Sequence, residues 1–162
     1  MLTYYSCASF AYLPLWNRLM HHYFPPKNFT DRCWQPDTGI GVVQCSSACF
    51  TLVEQIDQND YSPSAEYHGV LRGCVDRLLL FGLDDDVRNV LTQPYPQRIC
   101  RQTDRKLLRL QPLSEESELV TFCSCTGDHC NDQDMLLAIN SSRKSFLCGL
   151  SSLFLIIFYF HM

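Results

Sequence analysis

Three stretches of this chain carry the hydrophobic pattern of β-strands, and a fourth carries that of a helix. Residues 39–55 combine Val, Phe and Thr with a glycine-rich entry, and residues 65–75 and 117–125 repeat this pattern. The segments between them, at 57–64 and 92–97, are polar or rich in proline, as hairpin tips are. Runs of β-branched and aromatic residues bounded by turn formers predict three short strands.

Residues 75–91 break the strand pattern. Their apolar side chains have close to helical spacing, at positions 75, 78, 79, 83, 87, 90 and 91. This spacing predicts a short helix inserted between Cys74 and Cys100, and we expect its apolar stripe to pack against the sheet. Gly82 and the acidic run at 84–86 limit the helix, because both disfavour a helix interior.

Composition narrows the class of protein. The chain has 162 residues, ten cysteines, a formal net charge of −4 and a pI near 5.6. This cysteine density is typical of small secreted domains rather than of cytosolic enzymes. An acidic chain has no overall positive field, so we expect no nucleic-acid partner.

The C-terminal segment has the form of a GPI-attachment signal. Residues 146–160 contain no charge and 12 apolar residues, fewer than the roughly 20 that a spanning helix needs. A short polar spacer and small residues precede them, so Asn140 or Ser141 is the predicted site of lipid attachment. The hydrophobic tail at 146–162 would then be removed. A short tail anchor and a buried C-terminal helix are the alternatives.

The N-terminal segment is less distinctive. Residues 1–24 are interpreted as a signal peptide or an irregular arm, although they lack a basic start and a clear cleavage site, and a misassigned start is the alternative. We expect the folded domain to span 33–131, followed by a linker at 132–145. Asn28 begins an Asn-Phe-Thr glycosylation sequon, which fits a chain in the secretory pathway.

The expected domain contains eight cysteines that are candidates for disulfides, at Cys33, Cys45, Cys49, Cys74, Cys100, Cys123, Cys125 and Cys130. A zinc site would show two Cys-x2-Cys or Cys/His pairs about 12 to 20 residues apart, and this pattern is absent from the sequence. Eight half-cystines allow 105 pairings, so spacing alone does not choose among them. An intracellular zinc-binding module with reduced cysteines is the alternative class.

The sequence contains no recognisable catalytic constellation. Its histidines stand in no nucleophile or metal motif, at positions 21, 22, 68, 129 and 161. Acidic clusters at 84–86 and 115–118 are typical of solvated loops. We therefore expect no enzymatic activity, no cofactor, no bound metal and no small-molecule substrate.

Basic residues cluster after the predicted helix, at Arg98, Arg101, Arg105, Lys106 and Arg109. In an acidic protein, such a local positive charge is suited to steer an acidic partner or a sulfated glycan. These residues are therefore candidates for partner binding. A solvated hairpin face is the alternative interpretation.

The closing sequence CSCTGDHCN at 123–131 follows a Cys-x3-Cys, an Arg-Gly-Cys and a later single cysteine. This series resembles the three-finger domain of lymphocyte-antigen proteins, the urokinase receptor and snake neurotoxins, here in a GPI-anchored, invertebrate-like form. The resemblance covers Cys33 to the C-terminus and implies a small, all-β, disulfide-rich three-finger fold. It also implies that Asn131 bonds back to the disulfide-linked base, and that the disulfides are Cys33–Cys49, Cys45–Cys74, Cys100–Cys123 and Cys125–Cys130.

The chain departs from the family at its start. Many members begin with a Cys-x2-Cys and carry ten cysteines, whereas this chain has Cys33 alone there, and Cys7 is too remote to assign. The resemblance implies a GPI-anchored protein of the plasma-membrane surface. Its finger loops are expected to bind a membrane receptor or ion channel in the same membrane. A ligand-binding ectodomain of the activin-receptor type and a secreted three-finger ligand are the alternatives.

Overall fold

The computed structural model describes residues 1–56, 67–92, 98–108 and 119–135. In these ranges the chain is mostly β-sheet with two short α-helices. The strands are β1 (Leu2–Tyr5), β2 (Cys7–Ala8), β3 (Asn28–Phe29), β4 (Val42–Cys45), β5 (Cys49–Ile56), β6 (Tyr67–Cys74), β7 (Ile99–Asp104) and β8 (Leu119–Cys125). The helices are α1 (Trp16–Leu19) and α2 (Asp85–Leu91).

The strands form one large sheet and one small one. The large sheet has the order β3-β2-β6-β5-β8-β7, and the small sheet pairs β1 with β4. All pairings are antiparallel except that of β2 with β3. This architecture confirms the small, mostly β, disulfide-rich fold that the sequence predicts.

The central strand β5 is covered on both faces. On one face Leu52 joins a core cluster that includes Leu71 and Phe122, and Phe50 stacks on Phe122 with ring centroids 5.6 Å apart. On the other face Val53 belongs to a second cluster with the disulfide of Cys7. A strand buried on both faces reads as a nearly continuous apolar run, which is why this stretch stands out in the sequence.

The helical spacing at 75–91 corresponds to an α-helix only in its C-terminal part, as α2, whereas residues 75–77 form a short 3-10 helix. Leu91 is buried, and Leu83 and Val87 pack against the main cluster from its edge. Gly82 adopts a φ of 74°, in the left-handed region that glycine favours, and ends the preceding turn. Packing against the sheet, as the sequence predicts, therefore accounts for most of the stripe, while Val90 stays exposed.

The N-terminal residues belong to the folded domain, which corrects the expected domain start at residue 33. β1 pairs with β4 from Leu2 opposite Cys45 onward, and β2 pairs with β6 through Cys7 opposite Arg72. Tyr4 and Cys7 are fully buried. In this structure, apolar side chains from residues 1–24 therefore supply part of the core.

Strand β7 was also not among the three predicted strands, because its last four residues are all polar and it lies in a basic segment. It forms the sheet edge by pairing with β8 from Ile99 opposite Ser124. The predicted hairpin tips at 57–64 and 92–97 lie almost wholly outside the described residues.

Candidate functional site

The disulfides gather around a row of three cysteines at one end of the large sheet. Cys49 on β5 is in register with Cys74 on β6 and with Cys125 on β8. We call this end the base. Three of the disulfides that the resemblance implies are present at or near this row. They are Cys45–Cys74, Cys100–Cys123 and Cys125–Cys130.

The implied pairing of Cys33 with Cys49 is wrong. Cys33 is joined to Cys7, and their Cα atoms are 5.7 Å apart. β2 and β3 run parallel, and the turn Asp31–Trp34 directly follows β3, so Cys33 comes to lie beside Cys7. The sequence interpretation left Cys7 unassigned, because this residue is remote in sequence and the segment around it was interpreted as a signal peptide or an irregular arm.

Cys49 carries a thiol in the interior of the base. It is completely buried, and it is the free cysteine of the described residues. Its sulfur lies 2.9 Å from Cys125 Sγ and donates a hydrogen bond to the Cys125 carbonyl at 3.2 Å. Burial raises the pKa of the Cys49 thiol to about 12. The group is therefore protonated, and hence weakly nucleophilic, at neutral pH.

Tyr4 packs against this row of cysteines and is fully buried. Its hydroxyl donates to the Ser47 carbonyl at 3.0 Å, and burial raises the pKa of this phenol. Tyr4 precedes Cys7 by three positions, which is the spacing of the Cys-x2-Cys that begins many three-finger domains. A tyrosine thus stands where such a motif has its first cysteine, next to the cysteine that has no disulfide partner.

Asn131 ties the end of the domain to its start. Its side-chain nitrogen donates to the Tyr5 carbonyl at 2.9 Å and to the Phe50 carbonyl at 3.4 Å. Its side-chain oxygen accepts from the Tyr5 backbone N–H at 3.1 Å. These bonds connect β1, β5 and the closing loop, and they are the tie to the base that the resemblance implies for this residue.

Arg72 is a structural residue that the sequence interpretation missed. Its buried guanidinium donates to the carbonyls of Cys33 at 2.6 Å and Gln133 at 2.6 Å, and to the Thr51 hydroxyl at 3.1 Å. Burial lowers the pKa of Arg72 to about 10. A charged residue inside the apolar run of 65–75 was the available signal, because a charge on a buried strand needs partners.

The basic residues of the β7–β8 hairpin, which we call the third finger, and of the residues next to it do not form one continuous face. Arg98 pairs with Asp132 at 3.0 Å and donates to the Cys130 carbonyl, so it supports the closing loop. Arg105 is buried, 4% exposed, which removes it from any binding surface and corrects its assignment as a partner-binding residue. Lys106 is exposed and Arg101 is half-buried. Arg109 lies outside the described residues.

Arg105 instead belongs to a buried polar cluster. Its guanidinium lies 2.5 Å from Glu54 on β5, and the same carboxylate accepts a hydrogen bond from the Tyr12 hydroxyl. Burial, reinforced by the Glu54 charge, raises the pKa of Tyr12 well above its ordinary value. The cluster connects the N-terminal segment, the central strand and the third finger beneath the surface.

A comparison of the chain with protein-family models identifies its family. A family model described as Caenorhabditis elegans ly-6-related protein matches residues 7–132. The chain belongs to the Ly-6-related family. The match confirms the three-finger resemblance and begins at Cys7, the cysteine that is bonded to Cys33. No curated protein and no solved structure matches the chain significantly.

Membership of the Ly-6-related family indicates the general role of this domain. Proteins of this kind are small extracellular binding or modulatory domains, and as a class they are not enzymes. Four disulfides among the described residues agree with an oxidising compartment. Among those residues no helix is both long and apolar enough to cross a membrane.

Two groups of side chains in the described part of the Ly-6-related domain have the proximity of metal ligands. One contains Cys49, Cys125 and Cys130, and the other contains Asp76 with the Cys45–Cys74 pair. In each group two sulfurs are joined in a disulfide. Cysteine ligates a metal as a thiolate, so in the oxidised protein each group keeps only one of its three candidate ligands.

The predicted modification sites divide between described and undescribed residues. Asn28 lies on β3, half-buried, and its side-chain oxygen accepts from the Gly41 backbone N–H at 2.6 Å. Attachment of a glycan to the amide nitrogen would leave this oxygen in place, and glycosylation of Asn28 stays a prediction. The predicted lipid-attachment residues, Asn140 and Ser141, lie outside the described residues.

Proposed function

We propose that this Ly-6-related protein is attached to the outer leaflet of the plasma membrane by a GPI anchor. In that position its finger loops bind a receptor or ion channel of the same membrane and modulate it without catalysis. The observation that carries the proposal is the row of cysteines at the base, from which the hairpins extend.

The second finger supports a role in reaching a partner. β5 and β6 pair without interruption from Cys49 opposite Cys74 to Ile56 opposite Tyr67. At roughly 3.4 Å per residue, this ladder extends about 24 Å from the base. A loop carried on a rigid, cross-linked ladder loses little conformational freedom on binding, which favours affinity.

The third finger offers the accessible positive charge. β7 and β8 pair from Ile99 opposite Ser124 to Asp104 opposite Leu119, and Lys106 is exposed immediately beyond this ladder. With Arg105 buried, we assign the electrostatic contribution of this finger to Lys106 and Arg101, while Arg98 supports the closing loop through Asp132 and the Cys130 carbonyl. An acidic surface on the partner is the matching chemistry.

The sequence of the tail supports membrane attachment. If Asn140 or Ser141 receives the glycolipid, the mature chain ends there, and a signal can cross the bilayer only through a partner. Confinement to the same membrane raises the effective concentration of that partner, so weak finger contacts suffice.

Treatment of intact cells with phosphatidylinositol-specific phospholipase C tests the attachment. We expect the enzyme to release the protein, and we expect a variant with tryptophan at 140–142 to be retained inside the cell. A protein that stays on the treated cells and retains Met162 contradicts GPI anchorage.

Proximity labelling on intact cells tests the role of the fingers. The wild type is compared with a variant in which residues 57–66 are replaced by a Gly-Ser segment of equal length. A matched control replaces Arg18, which is exposed on α1, with Gln. We expect the loop variant to lose labelled membrane proteins that the control retains. An identical labelled set for all three proteins contradicts binding through this finger.

A further inference from the structure

We propose that a cavity beside β6 binds a small organic anion with an apolar body, such as an aryl or alkyl carboxylate. The cavity has a volume of about 370 Å³, within the range of roughly 300–1,000 Å³ that is usual for small-molecule sites. It lies between the base end of β6 and the segment that leads into β3. The site is therefore separate from the finger tips and goes beyond the proposed function.

Apolar side chains supply the larger part of the cavity lining. Phe50, Leu71 and Leu78 line it, and each of them is at least 95% buried in the domain. Phe24 and Pro25 also line the cavity. Side chains of this kind favour an aromatic or aliphatic body, which gains free energy when it leaves water.

All charged residues that line the cavity are positive. They are Lys27, Arg72 and Arg77, and no Asp or Glu is among the lining residues. This sign is opposite to the net charge of −4 carried by the whole chain. The nearest acidic neighbour in sequence, Asp76, already pairs with Arg88 at 3.1 Å. A concave apolar site with cations of one sign is complementary to a ligand that carries a negative charge.

Two of the three cations are accessible to a ligand carboxylate. Lys27 and Arg77 are exposed, whereas Arg72 is buried and donates to backbone carbonyls. The Arg77 guanidinium lies 5.6 Å from the centroid of the Phe24 ring, so it stands directly at the apolar wall. A ligand can therefore place its body on Leu71 and Leu78 while its carboxylate reaches Lys27 and Arg77.

Binding of 4-phenylbutyrate to the purified protein, measured by ligand-observed NMR, tests this assignment. The uncharged 4-phenylbutan-1-ol, of nearly the same size and shape, isolates the contribution of the charge. We expect 4-phenylbutyrate to bind about tenfold more tightly than the alcohol. The double variant Lys27→Gln with Arg77→Gln should lose this preference, and Arg18→Gln, which changes an exposed cation outside the cavity, should keep it.

A cavity-filling variant tests the location independently of charge. Val43 lines the cavity and is half-buried, so Val43→Trp can occupy the space without opening the core. We expect it to abolish binding of both probes while near-ultraviolet circular dichroism remains that of a folded protein. Equal affinity of the wild type for the two probes, or unchanged binding in the folded Val43→Trp protein, would overturn the proposal.

Discussion

The sulfur of Cys49 lies 2.9 Å from the sulfur of Cys125, which is itself bonded to Cys130. The two residues are direct partners across β5 and β8. Because burial keeps the Cys49 thiol protonated, the contact is unreactive in the folded protein near neutral pH. In the described part of the base, Cys49 is thus the one cysteine outside a disulfide.

Removal of Cys130 should redirect a disulfide. In Cys130→Ser, Cys125 loses its partner, and Cys49 is the nearest remaining sulfur in the strand register. We expect non-reducing peptide mapping of the secreted protein to find a Cys49–Cys125 bond. The double variant with Cys49→Ser should leave Cys125 as a thiol. A Cys125 that stays reduced in the single variant would contradict the assigned proximity.

The raised pKa of Cys49 predicts a loss of stability in alkali. The folded pKa is about 12, above the ordinary value of 9.0, so between these values only the unfolded chain releases the proton. The contribution is complete below pH 9 and is lost as the pH rises toward 12. Between pH 8 and 10.5 we expect the free energy of unfolding, measured with urea, to fall by about 2 kcal/mol more in the wild type than in Cys49→Ser. Parallel pH profiles would show that the thiol is not desolvated, since the buried tyrosines contribute equally to both proteins.

Tyr4→Cys should supply the missing partner of Cys49. The two side chains belong to the same buried cluster, so we expect peptide mapping to show a bond between residues 4 and 49. Tyr4→Ser is the matched control, because it loses the same aromatic packing and the hydrogen bond to Ser47. Closing a loop of about 45 residues should make the cysteine variant about 4 kcal/mol more stable than the serine variant. Equal stability together with a free thiol at residue 49 would rule out this pairing.

Substitution of Arg105 should lower the free energy of unfolding, whereas substitution of its neighbour Lys106 should change it little. Arg105→Met leaves the Glu54 carboxylate buried without its closest cation, which should cost about 3–5 kcal/mol. Lys106→Met changes an exposed side chain and should cost less than about 0.5 kcal/mol. Adding Glu54→Gln to Arg105→Met should recover part of the loss. Chemical denaturation compares the four proteins, and equal effects of the two single variants would contradict the buried ion pair.

Local sequence patterns were sufficient to predict the strands and the helix whose own residues show a clear hydrophobic pattern. The apolar runs that contain β5, β6 and β8 and the helical spacing at 75–91 predicted these strands and α2, because both faces of β5 are buried and α2 packs on the core through Val87 and Leu91. The closing CSCTGDHCN predicted the family and the Cys125–Cys130 bond, since it brings both cysteines and Asn131 within a few residues of one another.

Elements that depend on distant partners were missed or misread. β1, β2 and β3 have two to four residues each and exist only because β4 and β6 lie beside them. The same apolar residues, seen without these partners, resemble a leader segment. Arg105 likewise looked like a surface cation, because only the approach of Glu54 from another strand makes its burial favourable.

The sequence by itself determined the class of this protein: a secreted-type, cysteine-stapled β domain of the three-finger kind. Only the tertiary structure decided that Cys33 pairs with Cys7 and that Cys49 keeps a thiol beside Tyr4. The physical reason is that hydrophobic periodicity is a property of neighbouring residues. A disulfide or a buried ion pair depends instead on which distant segments are brought within a few ångströms, and strand order sets that proximity.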